Sequence, residues 1–224
     1  MDLAVLYIGA YLLGAVPTAY IIARLVRGID LRRYGSGNVG GTNLAQQVGK
    51  RWLPPLVLFE FLGKGAVPVW VGRYWLGLEV GSWTLLIAPL LAVVGHNWSV
   101  FLKFQGGRGI GVLGGTLLAL SPPLLAFGGL VTVAGWALTR SAGVWVLLSL
   151  TLLPVWLLAW GQAANLVWYS VALLGLVVLK RLLSNWTPFP RDLSRKRVLF
   201  NRLFRDRDVA DREQWVRRVP EGNP

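Results

Sequence analysis

The apolar run at residues 110–138 reads IGVLGGTLLALSPPLLAFGGLVTVAGWAL, and the Ser-Pro-Pro at its centre decides how the chain is threaded. Proline removes a helical hydrogen-bond donor and restricts the residue before it, so two successive prolines end a helix. We therefore predict a hairpin with short arms at 109–120 and 124–138. At 1.5 Å per residue the first arm is only ~18 Å long, and the hydrocarbon core of a bilayer is ~30 Å thick. The arm must therefore start deep, and we predict that the loop before it dips into the membrane.

The composition of the whole chain is that of an integral membrane protein. The 224 residues are 54% hydrophobic and include 12 Trp, a residue typical of membrane–water interfaces. Soluble domains of this size do not repeat near-continuous apolar runs. Further runs predict spans at about residues 3–25, 54–72, 82–98, 143–160 and 164–182. Together with the two hairpin arms, they predict an all-α integral membrane protein with about seven short transmembrane helices.

The distribution of positive charge predicts the orientation of the chain. Twelve of the 23 Lys and Arg residues lie from Lys180 onward. The positive-inside rule therefore places the C-terminus in the cytoplasm, and seven spans then leave the N-terminus outside and Arg140 inside. One continuous helix over 110–138 would instead put the basic tail outside. We predict a transmembrane helical domain at 1–183 and a basic cytoplasmic tail at 184–224.

Composition argues against several function classes. The net charge is +13, but the charge flanks apolar helices and forms no separate basic domain, so we predict contact with anionic membrane lipids and no nucleic acid. The chain has no cysteine, which excludes disulfides and thiolate chemistry. No cluster of histidines or carboxylates has metal-ligand spacing, and we predict no metal and no cofactor. Val198, Leu199, Leu203 and Phe204 predict an amphipathic helix on the inner leaflet, followed by a disordered C-terminus.

Two glycine-rich stretches could bind phosphate groups. The first, GSGNVGGTN at residues 35–43, can turn backbone N–H groups toward one point and adds polar side chains. Taken alone, it is more typical of a flexible loop. The second, GGRG at residues 106–109, places Arg108 where a guanidinium can hold a phosphate by two hydrogen bonds. Because neither stretch contains the Gly-Lys-Ser/Thr of a Walker loop, a nucleotide is not indicated.

Three ionisable residues lie within or at the ends of apolar runs. Glu60 and Lys64 are four residues apart, which places them on one face of the second span. They could form a structural ion pair or part of a site near the cytoplasmic surface. His96, the only histidine in the sequence, ends the third span. It could cap or brace that helix, or it could bind substrate and act as an acid or base.

These segments together resemble the acyl-phosphate-dependent glycerol-3-phosphate acyltransferase family of bacteria. Residues 35–43 resemble its Gly-Ser-Gly-Asn-x-Gly-Ala-Thr-Asn motif, and residues 64–65 match its Lys-Gly pair. Residues 95–96 match its Gly-His, and residues 104–109 resemble its Phe-x-Gly-Gly-Lys-Gly segment. The resemblance implies seven short helices in the bacterial inner (plasma) membrane, with the active site facing the cytoplasm.

The resemblance also implies a reaction and a set of site residues. The reaction moves a fatty acyl group from acyl phosphate to glycerol 3-phosphate, giving lysophosphatidic acid for phospholipid synthesis. It needs neither a metal nor a nucleotide. On this interpretation the catalytic residues are Ser36, Lys64 and His96. The predicted substrate- and phosphate-binding residues are Gly37, Asn38, Gly40, Thr42, Asn43, Gly106, Gly107, Arg108 and Gly109.

The sequence departs from the family pattern at several positions. Gln46 stands where the family has an arginine, Phe61 where it has an acidic residue, and Arg108 where it has a lysine. The family's C-terminal histidine is absent, although Arg202 and the following leucine resemble its Arg-Leu pair. Two hypotheses follow: a working acyltransferase with an altered site, or a catalytically degenerate homologue that binds lipid phosphates or regulates a membrane process. The sequence predicts no oligomeric state.

Overall fold

The structure, a computed structural model, describes residues 2–190 and 192–211 together with residues 213 and 215. Throughout this part the chain is built from helices, which confirms the all-α prediction for the described residues. An isolated β-bridge pairs Ser99 with Gln105 in the loop before the sixth helix. The principal helices are α1 Leu3–Ala15, α2 Thr18–Arg27, α3 Gly41–Gln47, α4 Lys50–Trp75, α5 Trp83–Asn97, α6 Ile110–Leu120, α7 Pro122–Thr139, α8 Ala142–Ala159, α9 Ala164–Leu183 and α10 Arg195–Phe200.

The predicted hairpin is present. Ser121 has an extended backbone between α6 and α7, and Pro122 occupies the first position of α7. The predicted arms at 109–120 and 124–138 correspond to Ile110–Leu120 and Pro122–Thr139. Proline at the start of a helix loses no hydrogen bond, because the first N–H groups of any helix lack a partner within it.

Seven apolar helical segments match the seven predicted spans. Two of them, Trp83–Asn97 and Ile110–Leu120, are apolar but shorter than a full span. Within the described residues, five are long and apolar enough to cross a membrane: Leu3–Arg27, Lys50–Trp75, Pro122–Thr139, Ala142–Ala159 and Ala164–Leu183. The number of crossings and the side of each terminus stay predictions.

Proline breaks the first span and distorts the second. Pro17 separates α1 from α2, so the carbonyl groups at the end of α1 accept hydrogen bonds from outside that helix. The Ser99 hydroxyl donates to the Ala15 carbonyl at 2.5 Å. In α4 the backbone widens into a π-helix at Phe59–Ala66, just before Pro68, whose ring excludes the regular α-helical hydrogen bond.

Glycines allow the helices to cross at close range. A Cβ atom on Gly14 of α1 would overlap the backbone of α5, and one on Gly95 of α5 would overlap the backbone of α1. In the same way, Gly65 of α4 and Gly115 of α6 face each other and leave no room for a methyl group. Small residues at such crossings let packed backbones approach closely inside a membrane. These two crossings place α1, α4, α5 and α6 around one centre.

The glycine-rich loops, the turn after α7 and the chain beyond α9 meet at one end of the bundle. Arg181 of α9 donates to the Gly143 carbonyl at the start of α8, at 2.9 Å. Asn185, just beyond α9, makes two hydrogen bonds with the backbone of Gly106. At the opposite end, the Tyr7 hydroxyl of α1 donates to the backbone at the start of α5. The predicted hairpin requires this arrangement.

The beginning of the predicted tail packs on the bundle. Lys180 and Arg181, which the sequence counts with the tail's surface charge, are instead buried at the end of α9. Val198 of α10 is buried, whereas Leu199, Phe200 and Phe204 of the same amphipathic segment are exposed. Its place on the inner leaflet and the boundary at residue 184 stay predictions. The predicted disorder of the C-terminus concerns residues 216–224, which lie outside the described residues.

Gly115→Ala tests the close crossing of α4 and α6. The added methyl group would overlap the Phe61 carbonyl, so we expect a loss of stability of about 1–3 kcal/mol and a lower thermal unfolding midpoint in detergent. Gly175→Ala in α9 is the matched control, because a Cβ atom there meets open space. Alanine should keep or slightly raise stability at that position. Equal midpoints for the two variants would contradict the crossing.

Candidate active site

The first glycine-rich loop is held by the side chain of Asn43. Its amide nitrogen lies 3.1 Å from the Leu31 carbonyl oxygen, 3.0 Å from that of Tyr34 and 3.1 Å from that of Asn38. Gly37 turns the chain with a positive φ of 66°. From Gly41 onward the stretch is helical, so its last three residues belong to the first turn of α3 and not to a flexible loop. Asn43 therefore fixes the shape of the loop.

A hydrogen bond from Arg32 links the segment before the first loop to the start of the second. Arg32 donates to both carboxylate oxygens of Asp30 and, at 3.3 Å, to the side-chain oxygen of Gln105. The hydrogen bonds from Arg32 lower the pKa of the Asp30 carboxyl. Asp30 therefore stays ionised at a lower pH than an ordinary aspartate does. No sequence pattern indicates this contact, because residues 32 and 105 are far apart along the chain.

The second glycine-rich loop is buried and clamped from two sides. Asn185 accepts from the Gly106 N–H at 3.0 Å and donates to the Gly106 carbonyl at 3.0 Å. The Lys180 ammonium donates to the side-chain oxygen of Asn185 at 2.6 Å. On the other side, the Gly107 N–H donates to the His96 carbonyl at 3.1 Å, and the imidazole leaves no space for a Cβ atom on Gly107. Only glycine fits at that point.

Glu60, Lys64 and His96 form a buried cluster between the two loops. One Glu60 oxygen, Oε1, lies 3.5 Å from Lys64 Nζ and 3.6 Å from His96 Nδ1. Lys64 Nζ also donates to the Val16 carbonyl at 2.6 Å, beside the break at Pro17. The ion pair lies within α4, and Lys64 links it to the end of α1, as the hypothesis of a structural ion pair requires. The ion pair also fits the second hypothesis, that of a functional site, because Glu60 and His96 line a cavity.

That polar cavity has a volume of about 240 Å³ and lies among both loops, the start of α8 and the end of α9. Arg108 supplies a buried guanidinium to its wall, and Glu60 and His96 form another part of the wall. Arg108 Nη1 donates to the Lys180 carbonyl at 3.0 Å, which orients the side chain. Arg181 of α9 also lines the cavity. Arginines in such a cavity favour an anion.

Asp206, in the segment after α10, reaches into the same cavity. Its Oδ1 lies 2.6 Å from Arg108 Nε, although the angle is not that of a directed hydrogen bond. Its backbone is left-handed, with φ at 56°, and ends the last helical turn of the described tail. The cationic wall of the cavity thus faces a carboxylate of the chain itself.

An apolar cavity of about 250 Å³ adjoins the polar one between α4, α6, α7 and α8. Phe61, Leu117 and Leu150 are among the residues that line it. Ile110, Gly111 and Val146 line both cavities and so mark their junction within the described part of the chain. A ligand with a charged head and a hydrocarbon chain matches this pair of cavities.

The structure gathers most of the predicted site residues and separates a few. Asn38, Gly40, Thr42, His96, Arg108 and Gly109 line the polar cavity. Lys64, His96, Gly106 and Gly107 surround a much smaller space of about 10 Å³ next to it. Among the described residues, Ser36, Gly37 and Asn43 line none of these spaces. The Ser36 hydroxyl accepts a hydrogen bond from the Asn38 N–H at 3.3 Å, so Ser36 shapes the loop, and its catalytic role stays a prediction.

Sequence reasoning missed three polar or charged side chains of the site. Arg181 was counted among the tail charges, and its only distinguishing signal was its position at the end of an apolar run. Asn185 and Asp206 lie in stretches with no glycine-rich or helical pattern to mark them. All three come to the cavity or its loops from the C-terminal end of the chain, where only the Arg-Leu pair at residues 202–203 resembles the family pattern.

Fold and site together define a helical membrane protein with a cationic cavity beside an apolar one. A family model described as glycerol-3-phosphate acyltransferase matches residues 4–187. The chain belongs to this family, which confirms the resemblance inferred from its motifs.

Relatives and solved structures agree with this assignment. Glycerol-3-phosphate acyltransferase 4 of Dehalococcoides mccartyi is 35% identical over 214 residues, covering 93% of this chain and 90% of that protein. The glycerol-3-phosphate acyltransferase of Thermus thermophilus is 46% identical over 116 residues, 51% of this chain and 55% of that protein. The chain is also similar to the crystal structure of PlsY (YgiH), an integral membrane glycerol 3-phosphate acyltransferase, in its glycerol 3-phosphate form. The TM-score is 0.74 at 30% sequence identity, and the match covers 80% of this chain and 88% of that chain. Its lysophosphatidic acid form gives a TM-score of 0.72 at 30% identity, with 80% and 87% coverage.

Arg108→Ala tests the anion site. Loss of a buried guanidinium removes charge-assisted hydrogen bonds, and we expect glycerol 3-phosphate to bind about tenfold more weakly. The measurement is the rise in thermal unfolding midpoint that the ligand causes in detergent. Arg33→Ala is the control, because Arg33 is exposed at the same end of the bundle. An unchanged ligand-induced shift in Arg108→Ala would contradict a phosphate site at this position.

Proposed function

We propose that this protein transfers a fatty acyl group from acyl phosphate to glycerol 3-phosphate, giving lysophosphatidic acid and inorganic phosphate. Membership of the family supports this proposal, as does similarity to structures described as glycerol 3-phosphate and lysophosphatidic acid forms of PlsY. The observation that carries it is the junction of a cationic cavity with an apolar one.

The two cavities suit the parts of the substrates. Both substrates carry a phosphate group, and Arg108 offers it a buried guanidinium. The acyl chain of acyl phosphate is apolar and suits the cavity among α4, α6, α7 and α8. The reacting carbonyl then lies near the junction at Gly111, which adds no side chain and leaves room for the second substrate. Holding both reactants in one place supplies a large part of the rate enhancement.

The chemistry is acyl transfer between two oxygen atoms. The first hydroxyl of glycerol 3-phosphate attacks the acyl carbonyl carbon, the new ester C–O bond forms, and the C–O bond to phosphate breaks. His96 accepts the hydroxyl proton and returns it to the departing phosphate, with the Glu60 carboxylate 3.6 Å away to hold the imidazole in place. Cations in the cavity stabilise the negative charge that develops on the carbonyl and on the phosphate.

Lys64 acts through Glu60 in this scheme. Its ammonium is buried, 3.5 Å from the carboxylate and 2.6 Å from the Val16 carbonyl. A charge at this depth is stable only when paired, so Lys64 keeps Glu60 ionised and in position. We propose that Lys64 positions the acid–base group and does not itself react.

The second hypothesis is a degenerate homologue that binds lipid phosphates. Gln46 and the missing C-terminal histidine support it, because both remove groups present in the family pattern. The structure favours a working enzyme through one observation: a histidine and two arginines still line one cavity next to an apolar one. The two hypotheses differ only in turnover, so an activity assay separates them.

Purified protein with acyl phosphate and glycerol 3-phosphate should form lysophosphatidic acid without added metal or nucleotide. His96→Gln should lower kcat by about 100-fold or more, because the proton carrier is lost while much of the side-chain volume remains. The midpoint of thermal unfolding serves as the folding control. No product from the folded wild-type protein would contradict acyl transfer and favour the lipid-phosphate-binding homologue. Unchanged kcat in His96→Gln would remove His96 from the scheme.

We also propose that the helices cross the bacterial inner membrane seven times, with the N-terminus outside and the site facing the cytoplasm. The proximity of the turn after α7 to the end of α9 supports this topology. Because the chain has no cysteine, single cysteines can report on each side of the membrane.

A membrane-impermeant thiol reagent added to intact cells tests the topology. Gln162→Cys, in the exposed turn between α8 and α9, should react from outside. Arg140→Cys, in the exposed turn between α7 and α8, should react only after the cells are opened. The reverse pattern would contradict seven crossings with a cytoplasmic site.

A further inference from the structure

Arg181 lies in the wall of the polar cavity and is not accounted for by the catalytic scheme. It is 2% exposed although it is charged. Nη1 donates to the carbonyls of Gly143 at 2.9 Å and Leu203 at 2.7 Å. Nε is buried and has no hydrogen-bond partner within the described part of the chain. A buried guanidinium with an unused donor beside a cavity is a binding group for an anion.

A second buried arginine shows what a structural arginine looks like in this protein. Arg202, on the tail, uses every side-chain nitrogen. Nε bonds to the Asp208 carboxylate at 2.6 Å, Nη1 to the Leu182 carbonyl at 2.9 Å and Nη2 to the Thr187 carbonyl at 3.0 Å. It does not line the polar cavity as far as the described residues define it. Arg181, in contrast, has an Nε that is unpaired among the described residues, and it lines the polar cavity. Its two hydrogen bonds between helices therefore explain only part of its placement.

The polar cavity needs more than one cation to hold a phosphate group. A phosphate monoester carries between one and two negative charges near neutral pH and has three acceptor oxygens. The first glycine-rich loop brings backbone and neutral side chains to the cavity, such as Asn38 and Thr42, and no charge. Apart from His96, the basic side chains among the described residues that line the cavity are Arg108 and Arg181. Two guanidiniums can share such a group between them.

The Asp206 carboxylate occupies the position beside Arg108 that a bound anion would take. Its carboxylate lies 2.6 Å from Arg108 Nε, inside the same cavity, with a side chain that is 28% exposed. Carboxylate and phosphate present guanidinium with similar pairs of oxygen atoms. Because the contact lacks the geometry of a directed hydrogen bond, a phosphate with better geometry can replace it.

We propose that Arg181 binds a substrate phosphate jointly with Arg108, and that Asp206 leaves Arg108 when this phosphate enters. The inference rests on the proposed acyl transfer for the identity of the phosphate, which belongs either to glycerol 3-phosphate or to acyl phosphate. Both present a terminal, singly substituted phosphate group with three free oxygen atoms to the cavity. Arg181 is then a substrate-binding residue supplied by the last transmembrane helix.

Steady-state kinetics with each substrate varied in turn is the first test. Arg181→Gln should raise KM for one of the two substrates about tenfold, and that substrate identifies the phosphate. Arg181→Lys should recover part of the loss, because it keeps the charge. Asp206→Asn should lower the same KM, because a competing anion is removed. Arg202→Lys is the matched control, which should lower the unfolding midpoint and leave both KM values unchanged.

The second test does not depend on turnover. Inorganic phosphate should raise the thermal unfolding midpoint of the wild-type protein and of Arg202→Lys, and should raise that of Arg181→Gln less. If Arg181→Gln does not fold, Arg181→Lys takes its place in both measurements.

The two proposals fail in different ways. If wild-type protein forms no lysophosphatidic acid but its phosphate-induced shift depends on Arg181, acyl transfer is wrong and the two-arginine site stands. If wild-type protein is active while the Arg181 variants keep both KM values and the full phosphate-induced shift, the role of Arg181 is wrong. If Asp206→Asn leaves KM unchanged, its carboxylate does not compete for the site.

Discussion

The buried Glu60 carboxyl group, between Lys64 and His96, is the group on which the rest of this structure depends. An unpaired carboxylate in an apolar bundle would cost several kcal/mol, so its neighbours must bring compensating groups. Lys64 comes from the next turn of a widened helix, and His96 comes from the end of α5. Lys64 in turn is tied to the Val16 carbonyl, beside the break at Pro17. Contacts among Glu60, Lys64 and His96 thus join α1, α4 and α5 at one point.

Polar loops can lie inside the bundle only because the helices around them are short, broken and closely packed. α6 begins at Ile110, directly after the buried loop, and the glycines at the helix crossings remove the space that side chains would need. Irregular backbone at this depth must find its partners within the protein. Asn43 and Asn185 meet that requirement with hydrogen bonds to loop backbone. The outcome is a polar cavity beside an apolar one.

The structure gives a physical explanation for one departure from the family pattern, the replacement of an arginine by Gln46. Gln46 leaves the first loop without a cation, and the cavity contains Arg181 from α9 in addition to Arg108. The positive charge that is missing at Gln46 is present at Arg181 of α9, which the same ligand would contact. A site can therefore keep its chemistry while a motif loses a residue, because electrostatics depends on position in space and not on position in the chain. Counting motif residues alone thus understates how complete the site is.

The sequence by itself determined the all-α architecture, the break at Ser121 and six of the fifteen residues that line the polar cavity. These features depend on local chemistry: apolar periodicity, proline's missing donor, and glycine's freedom at a turn. Only the tertiary structure decided that Asn43 holds its loop together, that Ser36 lines none of the cavities among the described residues, and that Arg181 and Asp206 share a cavity with Arg108. Those contacts join segments distant along the chain. No local pattern encodes them, because they exist only once the helices have packed.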